Sequence, residues 1–184
     1  MNYRHKILLV FLSAVAPLTM LAQSNQIKLY GGINALSKSC IQTNWMVNYE
    51  GTFKYNLGIG VQAGFHSGIK PERVGALSTD YNNFKHQWTT DIYACYKPIN
   101  TQHVVTLGIG YSFSLFTSNE VAPHNLNDYA LRRQVDHGVL GKVSYEYVFP
   151  KGFSIGVFCQ YTNYFVYSST QDQLMFGITI GFRF

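Results

Sequence analysis

The feature that most limits what this chain can fold into is a two-residue rhythm that recurs eight times after Gln23, with no stretch keeping a helical apolar period over three turns. Ile27, Leu29, Gly31, Ile33 and Ala35 alternate with Lys28, Tyr30, Gly32 and Asn34. Trp45 to Phe53, Leu57 to Phe65 and Trp88 to Tyr96 repeat the pattern, as do Val105 to Leu115, Val139 to Phe149, Phe153 to Tyr161 and Leu174 to Phe184. Successive side chains of a strand point to opposite faces, so each run separates a bulky set from a polar or small one.

The connections alternate too. Lys54 to Asn56, Pro98 to Gln102 and Pro150 to Gly152 are short and rich in Pro, Asn and Gly, as tight turns require. Longer polar segments lie between them: 37–43, 69–85, 117–136 and 168–172. Even-numbered strands, tight turns at one end and long loops at the other describe an all-β, eight-stranded, antiparallel up-and-down transmembrane β-barrel. A soluble barrel or sandwich would alternate as well, but it would have to bury the bulky set. Gly58, Gly60, Gly64, Gly108, Gly110, Gly156, Gly177 and Gly181 all fall on the opposite, polar face. There they suit a crowded narrow lumen, whereas on a wet outer surface they would only weaken the strands. Aromatic residues gather toward run ends, among them Trp45, Phe53, Tyr55, Tyr145, Tyr147, Phe149, Phe182 and Phe184, where interfacial girdles need them. Composition agrees: charged residues are 12%, far below the roughly 25% of soluble domains, aromatics are 16%, and the mean hydropathy of -0.02 is too low for a helical membrane protein.

Residues 1–22 read as a secretory signal peptide. Arg4, His5 and Lys6 form the basic start, Ile7 to Val15 the apolar stretch, and Met20-Leu21-Ala22 the cleavage point before Gln23. The apolar stretch is too short for a helical span, which needs about 20 residues. The expected mature domain is 23–184, and removal of Arg4 and Lys6 lowers its formal charge from +5 to +3, which implies no nucleic-acid partner. Cys40, Cys95 and Cys159 are odd in number and lack histidines at ligand spacing, so they read as small wall residues, with no metal or other cofactor expected.

The last run, Phe176-Gly-Ile-Thr-Ile-Gly-Phe-Arg-Phe184, resembles the C-terminal strand of bacterial outer-membrane barrels, which ends on Phe with apolar residues at every second position back. The chain is similar in architecture to small barrels of the OmpX/OmpA-like and Bacteroidota type. That resemblance implies a bacterial outer-membrane location and recognition of Phe176, Ile178, Ile180, Phe182 and Phe184 by the barrel-assembly machinery. Unlike full OmpA-type chains, nothing follows Phe184, so no periplasmic peptidoglycan-binding domain is expected.

Lys28, Glu50, Asp91, Lys142, Glu146 and Arg183 fall on the polar face and are expected to neutralise one another as a lumen charge network. An eight-stranded barrel has room inside only for side chains, so an open pore is not expected. No catalytic site is expected either. His66 and Ser67 invite comparison with outer-membrane lipid A deacylases, but adjacent strand residues face opposite sides and cannot share one active face. His86, His103, His124 and His137 read as solvated polar residues near strand ends. The expected role is therefore non-enzymatic: a structural or adhesive surface protein, with a lipid A deacylase or acyltransferase and a narrow channel as alternatives. Its partners would be outer-membrane lipids and lipopolysaccharide, whose phosphates suit Arg132 and Arg133, and an extracellular partner met by 69–85 and 117–136.

Overall fold

The computed structural model describes residues 22–37, 40–74, 79–121, 129–165 and 171–184. The segment read as a signal peptide lies outside them except for Ala22. Eight strands form a closed barrel in chain order: β1 (Ser24–Ser37), β2 (Cys40–Thr52), β3 (Leu57–Val74), β4 (Thr79–Asn100), β5 (His103–Val121), β6 (Tyr129–Val148), β7 (Phe153–Phe165) and β8 (Gln171–Arg183). Each is antiparallel to its neighbours, and β8 closes on β1 from Gln26↔Arg183 to Asn34↔Met175. The seam continues past Arg183, because Asn25 and Phe184 exchange both backbone hydrogen bonds at 2.9 Å.

The register fixes the barrel's bore. From Ser24 it runs through Thr52, Gly58, Cys95, Gly108, Lys142, Gln160 and Met175 and returns to β1 at Asn34, ten residues along. Eight strands with that stagger tilt by roughly 40° and leave an interior that side chains can fill. The bulky set faces out: Leu29, Val47, Ile92, Ile109, Val143, Val157 and Ile178 are all exposed. The polar set faces in, where Lys28, Asn48, Glu50, Gln62 and Glu146 have no accessible surface. Such an inversion suits a protein whose outer solvent is hydrocarbon. The glycines lie where the lumen is tightest. Gly60 and Gly110 flank Tyr93 in register, and a Cβ at either would collide with the Tyr93 side chain.

The segments 69–85 and 117–136, expected as loops, are mostly strand, and this is a correction. β3 and β4 span 18 and 22 residues, and β5 and β6 span 19 and 20, against 13 or 14 for the other four. Their ladders continue to Val74↔Thr79 and Val121↔Tyr129. Antiparallel pairing uses only backbone groups, so it persists beyond the apolar band, where no face is selected for bulk and the alternation fades. Two hairpins thus project farther than the rest of the rim.

Candidate functional site

The lumen brings together most of the charges expected there and adds one. Lys28, on β1, donates to Glu50 Oε2 at 2.7 Å and to Glu146 Oε1 at 2.5 Å. Lys97 Nζ lies 3.1 Å from Glu50 and donates to Thr52. Lys97 continues the inward series 91, 93, 95 by one step. Pro98 follows it, and the β4–β5 register shifts between Tyr96 and Ile99, which hid that continuation behind an expected turn. Glu50 also accepts from Tyr93 at 2.7 Å and from Asn48 at 3.0 Å, so four side chains converge on one carboxylate. Lys142 and Asp91 stand one level farther in and are linked through amides. Lys142 donates to Gln62 at 2.8 Å and sits over the Tyr30 ring at 4.0 Å. Asp91 accepts from Gln62 at 2.9 Å and Gln160 at 3.0 Å. Arg183 lies apart from these. It takes the inward parity but sits at the mouth, donating to Asn100 and to the Thr101 carbonyl.

Further ties cross the bore. Gln62 on β3 donates to Gln160 on the opposite strand β7 at 3.0 Å. Nearer the outer end, Gln87 on β4 and Gln173 on β8 exchange amide hydrogen bonds, again from opposite walls. Between the charge cluster and this amide tier, Tyr30, Met46, Phe158 and Met175 form an apolar cluster, with Tyr30 and Phe158 edge to face at 4.8 Å. None of these glutamines stood out in the sequence, because an uncharged residue at an inward position carries no mark until the register places it opposite another.

On the outer wall, every described histidine meets a hydroxyl: His86 pairs with Ser67 at 3.2 Å, His103 with Tyr145 at 2.7 Å and His137 with Tyr111 at 2.5 Å. Ser67 lies directly opposite His86, whereas Tyr145 and Tyr111 each lie two residues from the direct partner of His103 and His137; the latter two histidines are exposed, as expected of solvated polar residues. His124 lies outside the described residues. His66 instead turns inward and meets Thr89 at 3.1 Å, so it does share no face with Ser67. Ser67 and His86 are a serine–histidine contact of the kind a hydrolase needs. Both lie in mid-ladder, however, between Thr43 and Thr117, where backbone N–H groups are committed to neighbouring strands and cannot form an oxyanion hole.

The outward face of β8 presents Phe176, Ile178, Ile180, Phe182 and Phe184 in one exposed row. No protein-family model and no curated protein matches the chain. Solved structures do. The N-terminal β-barrel domain of Pseudomonas aeruginosa OprF is 15% identical with a TM-score of 0.58, over 89% of this chain and 98% of that one. This chain has the fold of the small eight-stranded outer-membrane barrels. OprG from the same organism is 13% identical with a TM-score of 0.60, over 89% and 96% of the two chains. Ail, the attachment invasion locus protein of Yersinia pestis, is 10% identical with a TM-score of 0.53, over 89% and 99%.

Proposed function

We propose that this chain is a non-enzymatic, non-conducting protein of the bacterial outer membrane, in which the barrel serves as anchor and the β3–β4 and β5–β6 hairpins carry the interacting surface. The observation that supports it best is the set of hydrogen bonds crossing the bore at successive levels, Lys28 to Glu146, Gln62 to Gln160 and Gln87 to Gln173. Ions would have to break each in turn. The exposed apolar band supports the membrane location, and residues 1–22 would direct export. Lys28, Glu50, Asp91, Lys142 and Glu146, joined by Lys97, would act as a stiffening lumen network, with Arg183 at its mouth. The hairpins carry Lys70, Arg73, Arg132 and Arg133, cations suited to the phosphates of lipopolysaccharide or to another anionic surface. Among the similar structures, Ail has been solved with the heparin analogue sucrose octasulfate. Planar-bilayer recording is the test: the purified barrel is expected to give no conductance steps, and regular steps would replace the anchor reading with a channel.

The row from Phe176 to Phe184 would be the assembly signal. Phe184→Ala is expected to lower the folded fraction in the outer membrane several-fold, scored by unheated gel migration of envelope fractions. Wild-type levels would mean that another element is recognised. The seam hydrogen bonds of Phe184 are backbone bonds, which the substitution leaves in place, so a loss would report recognition of the side chain.

A further inference from the structure

The closing strand β8 is tied across the bore at both of its ends, and both ties reach the same strand. At the outer end Gln173 and Gln87 exchange amide hydrogen bonds at 2.5 and 3.3 Å. At the inner end Arg183 donates to Asn100, at the end of β4, and to the Thr101 carbonyl at 3.5 Å. Asn100 in turn donates to Asn56 in the β2–β3 turn at 3.1 Å, and the Arg183 backbone N–H reaches the Gly152 carbonyl in the β6–β7 turn at 2.8 Å. Arg183 thereby engages all three tight turns, directly or through Asn100. β4 stands opposite β8, four strands away in either direction. Between the two ties the inward positions of β8 are Met175, Gly177, Thr179 and Gly181, and the Thr179 hydroxyl has no partner among the described residues.

The seam between β8 and β1 is the pairing most in need of such ties. The other seven pairs join strands consecutive in the chain, where the connecting loop limits the register. Alternation does not choose between registers two residues apart, because a two-residue slip returns every side chain to its own face. The outward row of β8 is bulky throughout, and its inward row from Gly177 to Gly181 is small throughout, so a slipped seam keeps the same local pattern. Such a slip changes the circuit around the barrel from ten residues to eight or twelve. Shared evenly among the strands, half of the slip falls at the opposite wall, a displacement of one residue or about 3.3 Å. A hydrogen bond does not survive that shift, and both ties of β8 feel it together.

We propose that Gln173 and Arg183 are positioning residues that set the register at which the barrel closes. The inference uses the barrel architecture alone. Refolding into lipid without any assembly machinery keeps it separate from the signal assigned to Phe184.

The test reads register directly in the full chain refolded into phospholipid vesicles, with Cys40→Ser, Cys95→Ser and Cys159→Ser as the parent. Leu29 faces Ile180 across the seam. Cysteines at directly opposed positions are within disulfide reach, whereas positions two residues along stand about 7–8 Å away. Leu29→Cys with Ile180→Cys therefore reports the observed register, and Leu29→Cys with Ile178→Cys or Phe182→Cys reports a slip in either direction. In the parent the first pair is expected to oxidise several-fold faster than the other two. Gln173→Ala with Arg183→Asn removes both ties and is expected to raise the slipped pairs several-fold at the expense of the first. Adding Asn100→Arg rebuilds the inner tie with its ends exchanged and is expected to recover the parent pattern. Thr179→Ala, on the same face between the ties, is expected to leave that pattern unchanged. Slipped pairs at the parent level in the variant without ties would overturn the proposal, as would slips that Asn100→Arg does not reverse. Should the variant without ties give no heat-shifted band on gels, recovery of that band by Asn100→Arg supports the proposal and its absence overturns it. Gly177 is the competing determinant, since it stands opposite Gly32 with the backbones so close that a Cβ on either would overlap a carbonyl oxygen. Slips produced by Gly177→Ala but not by loss of the ties would assign the register to the seam wall instead.

Discussion

Glu50→Gln is expected to destabilise the barrel by about 3–5 kcal/mol, the range for removing one partner from a buried ionic cluster. Lys28 and Lys97 both approach this carboxylate, at 2.7 and 3.1 Å, and Tyr93 and Asn48 donate to it. With glutamine there, Lys97 keeps the Thr52 hydroxyl at 3.0 Å but loses its carboxylate. Among the described residues, Lys28, Lys97 and Lys142 would then have Glu146 and Asp91 as the carboxylates left in the network. Glu146→Gln is the comparison: Lys28 retains Glu50, so the loss should be smaller. Urea unfolding in phospholipid vesicles, read by the gel shift between unheated and boiled samples, measures both. Glu50→Gln within about 0.5 kcal/mol of wild type, the usual spread of neutral surface changes, would show that the cluster contributes little. A double variant with Lys97→Met should recover part of the loss, since the charge left without its carboxylate is then gone.

The second large effect separates depth from exposure. Ile109 and Val135 are almost equally bare on the outer wall, at 73% and 71%. Ile109 lies mid-strand on β5, whereas Val135 lies on β6 beyond His137, its last position paired to β7 among the described residues. In water, arginine at either site would be close to neutral. In a bilayer, Ile109→Arg is expected to cost about 2–4 kcal/mol and Val135→Arg about 0–1, because the penalty depends on distance from the midplane. Equal costs in the same vesicle titration would remove the case for an apolar band that spans lipid.

Much of this architecture could be read in the alternation itself. The inward set 89, 91, 93 and 95 and the outward set 88, 90, 92, 94 and 96 are assigned by parity alone, and the structure keeps them. The closing strand was legible for the same reason, since Phe184 is in phase with Phe176. Sequence could not reveal what depends on register. Ser67 meets His86 rather than His66 because 67 lies opposite 86, a pairing set by the whole ladder between β3 and β4. Gln62 meets Gln160 only because stagger and strand number place them across the bore at one level. The projecting hairpins escaped for a different reason: alternation marks strands that separate two environments, and beyond the apolar band both faces meet the same one.

The backbone pair between Asn25 and Phe184 brings the two ends of the barrel domain within a residue's reach of each other. Topologically the wall is then a ring, and the chain's break falls at one of eight equivalent seams. A short linker from Phe184 to Ser24, with new ends cut in the tight turn at Lys54–Asn56, would preserve every strand pairing while moving the terminal phenylalanine into the interior of the chain. Such a permuted protein would separate the sheet's geometric closure from the assembly signal proposed at Phe184.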